Sequence, residues 1–419
     1  MKKATIQRLL IVCVVSALLV GCGAAGTPAA TSTVTSASLV ATITATPAVA
    51  PASPASAPTA AAASASPTAT VASKPLTSVK YATGFKIEYL ADGVKKVTDG
   101  EKQQILLVPA GKRAPAGMES LPRVTIPIKR AVYLSSTSVS LLRPLKVLDT
   151  VIGVTTEKDR WYIDEMKRGL DSGQITLVGK GMGEPNYEKI LALKPDAVFM
   201  YTGSADYVKR FEKFNELKIP VAVDNEYLEN DPLGRMEWIK FLAAFYDNDA
   251  EADAFFRGTE NRVQAITAKV SGVDRKPNVA WLLTSKGTNY VPGGDSYVAK
   301  MIAMAGGDYW FKDHGGVGDN NITEEEVLTR GQQADVLIWP SFPPYVNSMP
   351  DVVAAAPKLA DLKVVKDGKA WCFQPWFYQS LDKTEDAIQD LAAIFHPDLF
   401  LGYELKQFRV LPREPKAQQ

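Results

Sequence analysis

The sequence predicts an α/β protein: two doubly wound α/β lobes joined by one long rigid helix, with an N-terminal β-meander ahead of them. Three observations predict it. From about Val124, short apolar runs alternate with helical segments, the pattern of parallel sheets covered on both faces. The alternation stops after Val223 and resumes at Val279. The interval between them carries apolar residues at helical spacing almost throughout.

Taken in order, residues 1–22 begin with the positive cluster Lys2, Lys3 and Arg8, followed by the apolar run 9–20. That run is short for a bilayer span and has the length of a signal-peptide core. It ends in Leu19-Val20-Gly21-Cys22, which resembles the bacterial lipobox and implies lipidation of Cys22. Two or three acyl chains on one residue anchor stably, where one would bind only marginally. Residues 23–75 are nearly all Ala, Thr, Ser, Pro, Val and Gly, with no charge and no aromatic up to Ser73. Such a composition buries too little apolar surface to offset chain entropy and predicts a disordered stalk. Removing the signal segment takes three basic residues and no acid, leaving 44 basic against 46 acidic residues. That balance points away from nucleic acid and strongly charged partners.

Residues 76–123 form a β-rich lead-in: 85–90 alternates, Asp92-Gly93 supplies a turn, 94–97 returns, and 104–108 makes a third strand. The first lobe is placed at 124–232, with strand-like runs at 131–134, 151–154, 197–200 and 221–223. In the helical connection, 233–272, Met236, Ile239, Leu242, Ala243 and Tyr246 mark one helix. Phe255, Phe256, Val263 and Ile266 mark a second, the bridging helix, from about Ala250 to Val270. The second lobe, 273–402, has runs at 279–283, 336–339 and 370–373; residues 403–419 are read as a tail. Among three cysteines, Cys13 lies in the signal and Cys22 is the anchor, so Cys372, in an apolar run, is expected to be a lone buried thiol.

Several segments in a fixed order give the chain a family likeness. They are Asn186-Tyr187-Glu188 running to Lys194-Pro195-Asp196, then Gly293-Gly294-Asp295-Ser296-Tyr297 to Gly306-Gly307, then Ile322-Thr323-Glu324-Glu325-Glu326 and Ala334-Asp335-Val336. Together, from roughly Val124 to Leu399, the chain resembles the periplasmic binding proteins for ferric siderophores, haem and cobalamin, in lipoprotein form. The resemblance implies a monomeric solute receptor, not an enzyme. Such a receptor has no intrinsic cofactor, carries a metal chelate as ligand, and has an ABC permease dimer with its ATPase subunits as partner. It also implies that one glutamate on each lobe pairs with permease arginines, a role it carries to Glu188 and Glu325. Glu324 and Glu326 flank the second, and all three are candidates to project outward; each also favours a helix N-terminus by its charge.

In doubly wound lobes, ligands bind beyond the carboxyl ends of the strands. That rule nominates Ser136, Thr137, Trp161, Tyr162, Met182 and Tyr201 from the first lobe, and Lys286, Tyr290, Trp339, Trp376 and Tyr378 from the second. Large aromatics suit a bulky, partly apolar ligand, although each also suits a core. Ser136 and Thr137 serve equally as helix caps, and no arginine of the cleft stands out. A zinc or manganese receptor, the nearest alternative, would draw on several histidines, and the chain has two, His314 and His396. A cell-surface hydrolase would need a nucleophile motif such as Gly-x-Ser-x-Gly or His-Glu-x-x-His, and neither is present.

Overall fold

The computed structural model describes residues 77–414; the signal segment, Cys22 and the stalk lie outside the described residues. The lead-in forms a four-stranded sheet of β1 (Lys86–Tyr89), β2 (Lys95–Thr98), β3 (Gln104–Pro109) and β4 (Arg123–Ile126). The first three strands pair antiparallel as a meander, and β4 adds in parallel to β3. The expected first-lobe boundary at Val124 therefore falls inside a lead-in strand.

The first lobe is a five-stranded, all-parallel sheet in the order β7-β6-β5-β8-β9. Its strands are β5 (Ala131–Tyr133), β6 (Val151–Val154), β7 (Thr176–Leu177), β8 (Ala197–Met200) and β9 (Val221–Val223). Strand geometry sends alternate side chains to opposite faces. Ala131, Tyr133, Ala197, Phe199 and Ala222 accordingly join the main core, while Val132, Val198, Met200, Val221 and Val223 join a second core behind the sheet. Burial on both faces is what made these runs read as continuous apolar stretches.

The second lobe sheet follows the order β13-β10-β15-β16-β17, parallel except for the last pair. It contains β10 (Asn278–Trp281), β13 (Asp308–Tyr309), β15 (Val336–Trp339), β16 (Ala370–Phe373) and β17 (Phe408–Val410). The run at 279–283 is split: Leu283–Ser285 (β11) leaves the main sheet to pair with β12 (Thr288–Pro292), and β14 (Asp319–Ile322) completes a small antiparallel sheet. Lys286 and Gly287, both at positive φ, make the two-residue turn between β11 and β12, as the twist of a tight hairpin requires. The expected tail is also corrected in part. Phe408 is fully buried in β17, and the buried carboxylate of Asp390 accepts from the amides of Lys406, Gln407 and Phe408, fixing that strand to the lobe.

Two helices fill the interval between the lobes: α6 (Pro232–Tyr246) and α7 (Asp249–Val270). Five helices of the first lobe precede them: α1 (Ser136–Ser140), α2 (Leu142–Leu145), α3 (Asp164–Ser172), α4 (Tyr187–Leu193) and α5 (Tyr207–Glu216). Every residue of α6 except Arg235 is buried, so it is a central helix rather than an amphipathic surface one. The lead-in sheet supplies the cover: Phe85 packs against Trp238 and Phe241 at ring centroid distances of 4.9 and 5.6 Å. The 22 residues of α7, a rod of about 33 Å, touch α2 in the first lobe. In the second lobe they touch α8 (Tyr297–Met304) and, beyond α9 (Glu324–Gly331), α10 (Met349–Ala355) and α11 (Lys363–Lys366), α12 (Thr384–Phe395). Cys372 is buried and free, and desolvation pushes its thiol up to about 11.

Candidate ligand cleft

The loops after β5 and β16 meet across the lobes. Arg143, just past α1, donates to the Asp382 carboxylate at 2.5 and 3.0 Å and to the Gln379 carbonyl at 2.8 Å. The Gln379 side chain is itself a bridge. Its oxygen accepts from the Tyr162 amide at 2.8 Å, and its nitrogen donates to the Arg160 carbonyl at 2.8 Å. The Leu381 amide donates to the Ser140 hydroxyl at 3.2 Å. Tyr162 and Trp376 stand edge to face, 6.3 Å apart, at the exposed rim of this contact.

Behind that contact, Thr137, Arg235, Tyr297 and Tyr378 line a cavity of about 40 Å³. This is room for a few waters, not for a chelate. Arg235 is the one incompletely buried residue of α6. Its guanidinium lies 2.6 Å from the Glu226 carboxylate and 4.2 Å from the centre of the Tyr297 ring. Asp224, following β9, is buried with one carboxylate oxygen unpartnered, and desolvation raises it to about 7. Asp319, at the start of β14, is raised to about 6 by desolvation alone. On the first lobe's outer rim, Arg210 donates to the Met182 carbonyl at 2.5 Å, lies 3.7 Å from Glu184, and keeps a buried, unpartnered Nε.

Among the nominated residues, Ser136, Thr137, Tyr162, Trp376 and Tyr378 are gathered where the lobes touch. Met182 and Tyr201 belong to the Arg210 rim, where Arg210's charge acts on Tyr201 and Tyr201 meets Tyr227 edge to face at 6.1 Å. Tyr290 lies on β12 and Lys286 at the exposed tip of its hairpin. Trp161 and Trp339 are in the main core, 1% and 3% exposed. The Trp161 indole donates to the Thr156 carbonyl at 3.0 Å, a partner that makes its burial affordable. The sequence reading missed Arg143, Arg210, Arg235, Asp224, Glu226 and Asp319. One signal was available: Arg210 stands one helical turn before Phe214 on the apolar side of α5, where a lone arginine is unusual. Among the described residues, no three His, Cys, Asp or Glu side chains are grouped to hold a metal ion.

Helices that return between parallel strands begin at the carboxyl edge of the sheet, so α4 and α9 start on the cleft side of their lobes. The Asn186 side chain caps α4 by accepting from the Lys189 amide, and Glu188 sits exposed in its first turn. Thr323 caps α9 in the same way. Glu324 is tied to Lys358 at 2.7 Å; Glu326 is half-buried against His314 at 2.7 Å and Arg330 at 3.1 Å. Glu325 is exposed and, among the described residues, has no ion-pair partner.

Residues 132–370, more than half of the chain, match the family model described as periplasmic binding protein. The chain belongs to this family. It is therefore a solute-binding protein of the ABC-transporter type and not an enzyme. An uncharacterized lipoprotein of Methanocaldococcus jannaschii is 33% identical to the binding protein over 359 residues, covering 79% of this chain and 85% of the relative. The molybdate-binding protein MolA of Haemophilus influenzae shares the fold at a TM-score of 0.55 and 17% identity, over 74% of this chain and 94% of its own. The haem-binding protein HutB of Vibrio cholerae does so at 0.52 and 16%, over 64% and 99%. Among the described residues, no helix of the binding protein is long and apolar enough to cross a membrane.

Proposed function

We propose that the binding protein is anchored outside the cell membrane through lipidated Cys22 and captures a metal chelate between its lobes. The chelate is a siderophore complex, haem or a corrinoid, and the loaded protein hands it to an ABC importer. One observation carries this reading. The loops beyond the carboxyl ends of both sheets converge on one cleft, where half-buried Tyr297 and Tyr378 and exposed Tyr162 and Trp376 stand beside Ser136 and Thr137. Large flat side chains with a few polar tips suit a bulky ligand that is partly apolar. Because the cavity at the lobe contact is small, the lobes separate to admit such a ligand and close on it, with α7 limiting the movement. Met182, Tyr201 and Tyr290 form the outer walls, and Glu188 and Glu325 present the loaded protein to the permease.

The test is a tryptophan-fluorescence and absorption titration of the purified protein with ferric siderophores, haem, cobalamin and free zinc. Saturable binding of one chelate class at one equivalent supports the reading and names the ligand. A response to zinc alone, or to none of the panel, overturns it.

A further inference from the structure

The second lobe carries a cavity that the cleft does not use. Pro277, Asp335 and Lys369 stand immediately before β10, β15 and β16, along the amino edge of the sheet and one strand length from the edge that faces the cleft. Between that edge, the end of α12 and the loop 397–405 is a cavity of about 620 Å³, against about 40 Å³ at the lobe contact. Small-molecule sites run from roughly 300 to 1,000 Å³. The walls are amphipathic. Trp371, Ile394, Phe395, Phe400, Leu401 and Leu405 make the apolar part. Leu401, beside the left-handed turn at Gly402, is 85% exposed, and Val410, opposite Trp371 across β16 and β17, is 51% exposed. Contiguous apolar surface of this kind, rimmed by charge, marks a binding site. The polar part is cationic. Arg275 and Asp335 neutralise each other at 2.7 Å, but Lys369 joins no ion pair among the described residues. Lys269, likewise unpaired, holds its ammonium 4.2 Å from the centre of the Phe400 ring. The indole N–H of half-buried Trp371 also has no partner among the described residues, where tryptophans usually find one. Asp398 and Glu404 of the same loop are exposed and do not line the cavity.

We infer that this cavity is a second binding site, which takes a single-chain amphipathic anion of the fatty-acid class. The apolar chain lies against Trp371, Phe395, Phe400 and Leu401, and the carboxylate meets Lys369, with Lys269 adding positive charge over Phe400. Burial of the chain supplies affinity, and the ammonium groups set the sign of the head group. The site is independent of the cleft. The two occupy opposite edges of one sheet, so either can be filled while the other is empty.

The full chain, embedded in phosphatidylcholine nanodiscs, is irradiated with a diazirine-bearing dodecanoate, and the labelled peptides are mapped by mass spectrometry. Label is expected at Trp371 and within residues 393–405. Unlabelled dodecanoate is expected to displace it at a concentration about tenfold lower than dodecyltrimethylammonium, which has the same chain and the opposite charge. Leu401→Asp and Lys369→Glu, both at exposed positions, are each expected to cut labelling about fivefold or more with the melting temperature retained. Val208→Asp, at a half-exposed apolar position on α5, controls for general loss of surface apolarity and is expected to change nothing. No label, label confined to the cleft or spread over the surface, equal displacement by the cationic amphiphile, or variants that label like the parent would each overturn the inference. So would labelling of the same residues by a diazirine phosphatidylcholine placed in the disc, which would make the occupant a bilayer lipid. The competition is read on the parent chain, so a variant that melts early leaves the test intact.

Discussion

Glu237 shows how much a single residue can hold in this protein. It is fully buried in α6 and accepts from the backbone amides of Lys80, Tyr81 and Ala82 at 2.7 to 3.0 Å, and from Lys240 at 2.8 Å. Glu229 does the same for Thr83 and Gly84, so two carboxylates bind the segment that leads in from the N-terminus to the central helix. Glu237→Ala leaves three amides without their acceptor and leaves Lys240 only the Ser78 carbonyl and Asp253, and is expected to cost about 3–5 kcal/mol, read by urea denaturation. Glu237→Gln, which keeps an acceptor, should cost less. Asp224 acts in the other direction. Its folded value, about 7, is above the ordinary 3.8, so the folded state binds the proton more tightly than the unfolded state. Its contribution to stability is therefore present below pH 4 and lost as pH rises to about 7. Asp224→Asn should flatten that part of the stability profile, and an unchanged slope between pH 4 and 7 would refute the assignment. None of this was legible in the sequence. In Arg235-Met236-Glu237-Trp238 the charges look like those of any surface helix, and only the lead-in sheet, packing on from far away, makes them interior.

At the scale of elements, the sequence carried much more. The strands buried on both faces were readable because uninterrupted apolar runs have few other uses. The strands it missed, β4, β7, β12, β13, β14 and β17, are two to five residues long, and most depend on a partner supplied from elsewhere in the chain. Phe408-Arg409-Val410 is a strand because β16 and Asp390 receive it, not because three residues specify one. The cleft followed the same division: Ser136, Thr137, Tyr162, Trp376 and Tyr378, nominated from strand ends, lie together at the lobe contact, but the pairing of their loops was not foreseen. That pairing is held by Gln379, whose side chain reaches the Tyr162 amide and the Arg160 carbonyl at once. One such hydrogen bond contributes about 1 kcal/mol, so Gln379→Ala is expected to speed hydrogen exchange at the Tyr162 amide roughly fivefold or more. Amides in β5 and β8, far from the contact, should stay as protected as before. Uniform acceleration would mean general loosening rather than release of one clamp.

For the whole molecule, the organising fact is that both sheets present their carboxyl edges to the same cleft, which puts the starts of α4 and α9 on one side of the protein. Glu188 and Glu325 are exposed there, one on each lobe, while Glu324 and Glu326 are already engaged with Lys358, His314 and Arg330. On the docking proposed above, a single charge on each lobe would report the distance between the lobes, so a permease dimer that reads both could distinguish a closed, loaded receptor from an open one. Exposed pairs give little affinity and mostly orientation and association rate. Glu188→Gln or Glu325→Gln alone should therefore slow ligand uptake into permease-containing vesicles only roughly two- to fivefold. Reversing both, Glu188→Lys with Glu325→Lys, would put like charges against the permease arginines of the proposed docking and should abolish uptake. Ligand affinity in solution should not move in any of these variants, because neither residue lines the cleft, and the residual rate of the single variants should depend less on salt than that of the parent. If the double reversal transported at the parental rate, docking would have to run through another surface; if it lost ligand binding instead, the two glutamates would belong to the cleft.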